Sequence, residues 1–149
     1  MKIEDTIPLD QVPSLAGVHV LVVDDLEEAR TLLRAALEEC GAQVTTVSSG
    51  VEALAILADP PDGRRPDALI LDIAMPGEDG YKALERVRAL EAKSGISPSA
   101  QIPAIALTAY GRSEDRLRAL TAGFRMHVAK PVEPAELAMV LASIVLRKE

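Results

Sequence analysis

Ala68-Leu69-Ile70-Leu71 is an apolar run with no polar alternation, closed by the carboxylate of Asp72 and then broken by Pro76, Gly77 and Gly80. A strand with one wet face alternates apolar and polar side chains. This one asks for cover on both faces, which suits the middle of a parallel sheet. It therefore leaves one acid where a buried strand opens into a loop, the place in open parallel sheets where ligands and chemistry collect.

The same unit recurs along the chain. Strands are expected over 18–23, 43–47, 68–71, 104–107 and 126–129, and helices over about 27–40, 49–58, 81–93, 113–122 and 134–146. In the first helix Ala29, Leu32, Leu33, Ala36, Leu37 and Cys40 follow the 3.6-residue period, Glu27 and Glu28 suit its positive N-terminal end, and Gly41 suits its stop. Ser49 and Glu52 have the spacing of a capping box, and Pro134 suits a first helical turn. The last turns of the third helix put either Leu90 or Glu91 on its inner face. Strands alternating with helices imply an α/β fold, a parallel sheet covered on both sides. Residues 1–17 read as an arm or linker, and 18–149 as one domain.

The 149 residues are enough for one ordinary core, built of Leu, Val, Ile and Ala because there is no Trp, one Phe and two Tyr. A net charge of -7 argues against nucleic acid as a partner, since phosphate contacts need an excess of Lys and Arg. A single cysteine, Cys40, rules out an internal disulfide and is expected in the core. No apolar run approaches the roughly 20 residues of a membrane span, and no secretory h-region is visible. A soluble, cytoplasmic protein is expected.

In a parallel sheet the C-terminal ends of the strands share one edge. Asp24 and Asp25, Asp72, Thr108 and Lys130 all follow or close strands, so they should converge there. Three carboxylates repel one another unless a cation sits among them. Oxygen ligands in that number suit Mg²⁺, with the carbonyl of Ala74 as a further protein ligand. Mg²⁺, an ammonium and a hydroxyl make a receiver for a phosphoryl group, with a carboxylate as nucleophile. Asp72, closing the central strand, is the candidate. Taken singly, Asp24 and Asp25 suit a helix cap, Asp72 a turn, Thr108 a loop and Lys130 a solvated surface; their recurrence at successive strand ends favours the chemical reading.

Over Val18 to about Leu146 the chain resembles the receiver domain of two-component response regulators, through VLVVDD, LILDIAMPGEDG, ALTA and AKP in that order and spacing. Within that family it is most similar to the C-terminal receiver of hybrid histidine kinases, although it carries no kinase ATP-site boxes. An excised domain and a stand-alone receiver both remain open. The resemblance implies a flavodoxin-like fold with strand order 2-1-3-4-5. It implies phosphorylation of Asp72 by the phosphohistidine of a histidine kinase or a phosphotransfer protein. Asp24, Asp25, Asp72 and the Ala74 carbonyl would hold Mg²⁺, Thr108 and Lys130 would bind phosphoryl oxygens, and the Lys130-Pro131 peptide would be cis. A switch of the face made by the fourth helix, fifth strand and last helix would follow.

One position departs from the pattern. Where the family usually has an inward-swinging Tyr or Phe, three residues before the lysine, this chain has His127, either a pH-sensitive substitute or an edge residue without that role. Tyr110 is either a gate for water at the site or a packed loop residue. An aspartyl-phosphate hydrolase is disfavoured because the second acid such enzymes need is Ala74. A flavodoxin is disfavoured because the loop after the first strand is acidic. On the last helix Leu137, Val140, Leu141 and Ile144 form the expected core stripe. Ala138, Met139, Ala142, Val145 and Leu146 lie off it, an apolar surface for a second copy, another protein, or the arm through Ile3, Ile7, Leu9 and Val12.

Overall fold

A computed structural model describes residues 13–145 apart from 76, 78 and 110–112. The elements in order are β1 (His19–Val23), α1 (Glu27–Glu39), β2 (Gln43–Val47), α2 (Gly50–Ala58), β3 (Ala68–Asp72), α3 (Gly80–Lys93), β4 (Ala104–Thr108), α4 (Ser113–Ala122), β5 (Met126–Ala129) and α5 (Pro134–Val145), with a 3₁₀ turn at Pro98–Ala100 before β4. Five strands form one parallel sheet in the order β2-β1-β3-β4-β5, the flavodoxin-like order. Every residue of β1, β3 and β4 is buried, as the unalternated apolar runs require.

Side chains alternate across the sheet and feed two separate apolar layers. Val20, Val22, Ile70, Ile105, Leu107 and Val128 pack with Leu33, Leu37, Leu137 and Leu141 under α1 and α5. Leu21, Val23, Leu69, Leu71 and Ala106 pack with Ala53, Leu84, Val87, Ala119 and Phe124 under α2, α3 and α4. Each buried Leu, Ile or Val contributes about 1.5–3 kcal/mol of transfer free energy, so these two layers dominate the drive to fold.

Three features differ from the sequence expectation. Leu15, placed in the arm, is fully buried, and its N–H donates to the Cys40 carbonyl at 2.8 Å, closing the bottom of the first layer. Gly41 packs here against Ala16, whose backbone N would lie 3.2 Å from an added Cβ. On α1, Leu32 is 70% exposed despite its place in the expected stripe, because only Leu33 and Leu37 face the sheet squarely. On α5, Ala138 and Ala142 are buried together with Leu137, Leu141 and Ile144, while Met139 stays exposed. The helix lies against both the sheet and α1, so it buries a broader face than one stripe. Of the apolar surface expected there for a partner, Ala138 and Ala142 are interior, Val145 is half-buried and Met139 is exposed; Leu146, Ile3, Ile7, Leu9 and Val12 lie outside the described residues.

Glu91, on the inner face of α3, is only 3% exposed. Its carboxylate accepts from Arg65 Nη2 at 2.9 Å, Arg88 Nη1 at 2.8 Å and the Ile102 N–H at 2.7 Å, and Arg88 also donates to the Ile102 carbonyl at 2.9 Å. This network fastens the long loop after α3 to the start of β4 and to the segment that leads into β3.

Candidate functional site

The C-terminal edge of the sheet gathers the residues that the strand ends were expected to bring together. Asp24 follows β1 and is completely buried. Its N–H donates to the Val47 carbonyl at 3.2 Å, its carbonyl accepts from Arg30 Nη1 at 2.8 Å, and its Oδ1 accepts from the Leu26 N–H at 3.0 Å. The same device recurs at Asp72, whose Oδ1 accepts from the Ala74 N–H at 3.0 Å. Each acid thus spends one oxygen on its own loop and frees the other for the site. Asp24 does not cap α1: the cap position is Leu26, and no side chain fills it.

The freed oxygens meet Lys130, which follows β5. Its Nζ lies 2.9 Å from Asp72 Oδ2 and 3.6 Å from Asp24 Oδ2. The Lys130 N–H donates to the Thr108 carbonyl at 2.7 Å, tying the ends of β4 and β5 together, and the Lys130-Pro131 peptide is cis as expected. Carboxylate oxygens of Asp24, Asp25 and Asp72 lie within 4.8 Å of one another. Among the described residues, two buried side-chain oxygens at this edge have no hydrogen-bond partner, Asp24 Oδ2 and Thr108 Oγ1. A buried acceptor of that kind costs free energy unless something fills its coordination.

Electrostatics point the same way. Burial pushes the Asp24 carboxyl up, and Asp72 and Asp25 push it further, against the Leu26 N–H and Lys130. Burial alone would lower the Lys130 ammonium, but its hydrogen bond and charge contacts with Asp72 and Asp24 outweigh burial and raise it. One ammonium facing three carboxylates leaves a deficit of positive charge. The donor set is all oxygen, and Asp24 Oδ2 is an open ligand position, so the residues fit Mg²⁺.

Gly80 sets the floor. An added Cβ would lie 2.6 Å from Ile73 Cα and 3.0 Å from the Asp72 carbonyl oxygen, so only glycine lets α3 begin this close to the loop after β3. Asp79 caps the helix, its Oδ1 accepting from the Lys82 N–H at 2.8 Å.

Two openings flank the edge. On the α1/α5 side an apolar groove of about 470 Å³ is lined by Asp24, Leu26, Leu32, Lys130, Pro131 and Val132 among others. On the α3/α4 side a smaller polar pocket of about 230 Å³ is lined by Ile73, Ala74, Asp79, Tyr81, Thr108, Ala109 and Arg118. Arg30 and Arg118 were not singled out in the sequence. There Gly80 reads only as the last breaker before a helical pattern, not for its close approach to Ile73 and Asp72. His127 is half-buried on β5. Tyr110 lies outside the described residues.

The family model for the response regulator receiver domain matches residues 20–142. The chain belongs to the response regulator receiver family. This receiver is 45% identical over 125 residues to an uncharacterized 14.6 kDa protein of Leptolyngbya boryana, covering 83% of this chain and 87% of that one. It is 34% identical over 132 residues to hybrid signal transduction histidine kinase D of Dictyostelium discoideum, covering 88% of this chain but 8% of the kinase. Among solved structures it is similar to the receiver domain of sensor histidine kinase PA1611 from Pseudomonas aeruginosa, which has a magnesium ion coordinated in its active site cleft. That match has a TM-score of 0.71 and 34% identity, and covers 87% of this chain and 98% of that one. Among the described residues no helix of this receiver is long and apolar enough to cross a membrane.

Proposed function

We propose that this receiver takes a phosphoryl group from a phosphohistidine onto Asp72, in a cytoplasmic phosphorelay with a histidine kinase or histidine phosphotransfer protein as donor. The observation that carries the reading is the Lys130 ammonium 2.9 Å from Asp72, beside two buried oxygens with no hydrogen-bond partner among the described residues. In the transfer, a bond forms between an Asp72 carboxylate oxygen and phosphorus while the phosphorus–nitrogen bond of the donor breaks. The nitrogen keeps the electron pair and takes up a proton. Lys130 follows the charge onto the phosphoryl oxygens, and the Thr108 hydroxyl supplies a donor to one of them. Asp24, Asp25, Asp72 and the Ala74 carbonyl would hold Mg²⁺, which would offset the charge of the acids and the phosphoryl group.

The groove beside Asp24 and Lys130 supports the choice of donor. Leu26 and Leu32 stand exposed at its rim, next to Pro131 and Val132, an apolar surface fit for the helix that carries the phosphohistidine. Phosphorylation adds about two negative charges at the edge, and a coupling of about 1–3 kcal/mol to the α4-β5-α5 face is enough for a switch. Leu117, Leu120, Met126 and Met139 are exposed on α4, β5 and α5, so a protein partner or a second copy there would meet α4 and β5 more than α5.

Incubation with acetyl phosphate and Mg²⁺ tests the reading. Labelling should be stoichiometric, abolished by chelation and absent from Asp72→Asn. Undiminished acid-labile, hydroxylamine-sensitive label on Asp72→Asn would reject Asp72 as the acceptor.

A further inference from the structure

The polar pocket on the α3/α4 side has an unusual wall. Arg118 of α4 lies with its guanidinium carbon 4.0 Å from the centre of the Tyr81 ring, and that ring meets Phe124 edge-on with centroids 6.1 Å apart at 81°. The same pocket is lined by Ala74, two residues past Asp72, and by Thr108, whose buried hydroxyl has no partner among the described residues. Ala74 is too small to close the way between Arg118 and the phosphoacceptor. Asp79, the acid of the pocket, already commits one oxygen to the Lys82 N–H.

We propose that Arg118 is a second cationic contact for a phosphoryl group on Asp72, held on the Tyr81 ring until that group arrives. The inference rests on the phosphorylation of Asp72 argued above. Lys130 is already engaged by both Asp72 and Asp24, so a dianionic group arriving at Asp72 lacks full compensation from this chain. Arg118 is itself exposed over the half-buried Tyr81 ring, so that cation–π contact is weak, whereas a charge-assisted hydrogen bond to a phosphoryl oxygen is among the stronger polar contacts. The exchange of partners is therefore downhill. Because Arg118 belongs to α4, the exchange draws that helix toward Asp72. Tyr81, which packs edge-on against Phe124 at the turn into β5, loses its cation at the same moment. The path gives α4 a direct pull from the phosphoryl group, independent of the residue at position 127.

The chain has two tyrosines and no tryptophan, so Tyr110→Phe leaves Tyr81 as the sole reporter of its own ring contact. Beryllofluoride with Mg²⁺ serves as the acyl-phosphate mimic, and its bound ¹⁹F signal establishes saturation. The expected result is a change in Tyr81 emission on saturation that is absent from the Arg118→Met version of the same chain. Affinity for beryllofluoride should fall about tenfold in Arg118→Met, the worth of one charge-assisted hydrogen bond, and recover in part in Arg118→Lys. Arg118 is exposed, so these variants should keep the parental melting temperature. An unchanged Tyr81 emission at ¹⁹F saturation, or parental affinity in Arg118→Met, would overturn the role of Arg118 while leaving Asp72 in place. Absence of any bound ¹⁹F signal in the parent would instead overturn the phosphoacceptor reading and this inference with it.

Discussion

Replacing Glu91 by alanine should cost this receiver a large part of its stability without touching its chemistry. The carboxylate is 3% exposed and joins two arginines and a backbone N–H. Removing one partner of a buried charge network costs about 3–5 kcal/mol, because the remaining groups are left without compensation. Here Arg65 and Arg88 retain side-chain exposures of 30% and 23%, so both can turn toward water and the loss belongs at the low end, about 3 kcal/mol. The Ile102 N–H cannot turn away and keeps its share of the cost. For a domain of this length that is about 6–12 °C in melting temperature. Glu91→Gln keeps an acceptor for one donor and should lose about half as much. Urea unfolding followed by circular dichroism gives the free energies. Acetyl phosphate labelling at a temperature where both chains are folded should remain parental, since Glu91 sits near the C-terminal end of α3 while Asp72 lies by its start. A Glu91→Ala chain within about 0.5 kcal/mol of the parent would refute the reasoning, because that is the range of an ordinary surface substitution.

Gly80→Ala should destabilise the fold by about 1–3 kcal/mol and slow labelling, as the new methyl displaces Ile73 and the Asp72 carbonyl; parental labelling and stability together would contradict the close approach seen here. Burial holds the His19 imidazole below its ordinary 6.5, against the pull of Asp67, so the folded state binds its proton less readily than the unfolded chain. Stability from this group is therefore full above about pH 6.5 and declines as pH falls through the window down to the lowered folded value. His19→Gln should remove that part of the acid-side decline; an identical pH profile of stability in the variant would dismiss it.

The architecture was largely legible because it is written in local signals. The unalternated run ending at Asp72 marked β3 as a central strand, and Pro and Gly breakers placed the loops. Convergence of Asp24, Asp72, Thr108 and Lys130 followed from the rule that parallel strands end on one edge, although the strand order came from the resemblance. What stayed hidden depends on distances between elements. Periodicity could not tell that α1 turns Leu32 outward, or that α5 meets two surfaces and buries Ala138 and Ala142. It ranked Leu90 and Glu91 equally, because only the positions of Arg65, Arg88 and Ile102 make a buried acid tolerable. The capping box at Ser49 formed with a shift: Ser49 Oγ accepts from the Glu52 N–H, but Glu52 Oε1 accepts from the Ser48 N–H, a residue earlier than the motif predicts. Cys40 is half-buried against the first apolar layer rather than sealed within it.

The alternation of side chains along the strands has one more result. Asp24 and Lys130 border the groove on the α1/α5 wall, whereas Thr108 borders the pocket on the α3/α4 wall. On the function proposed above, arrival and readout would use different doors of the same room. A donor seated at the first door would leave the second clear, so α4 would be free to respond before the donor departs, and separate mutations should alter the two events.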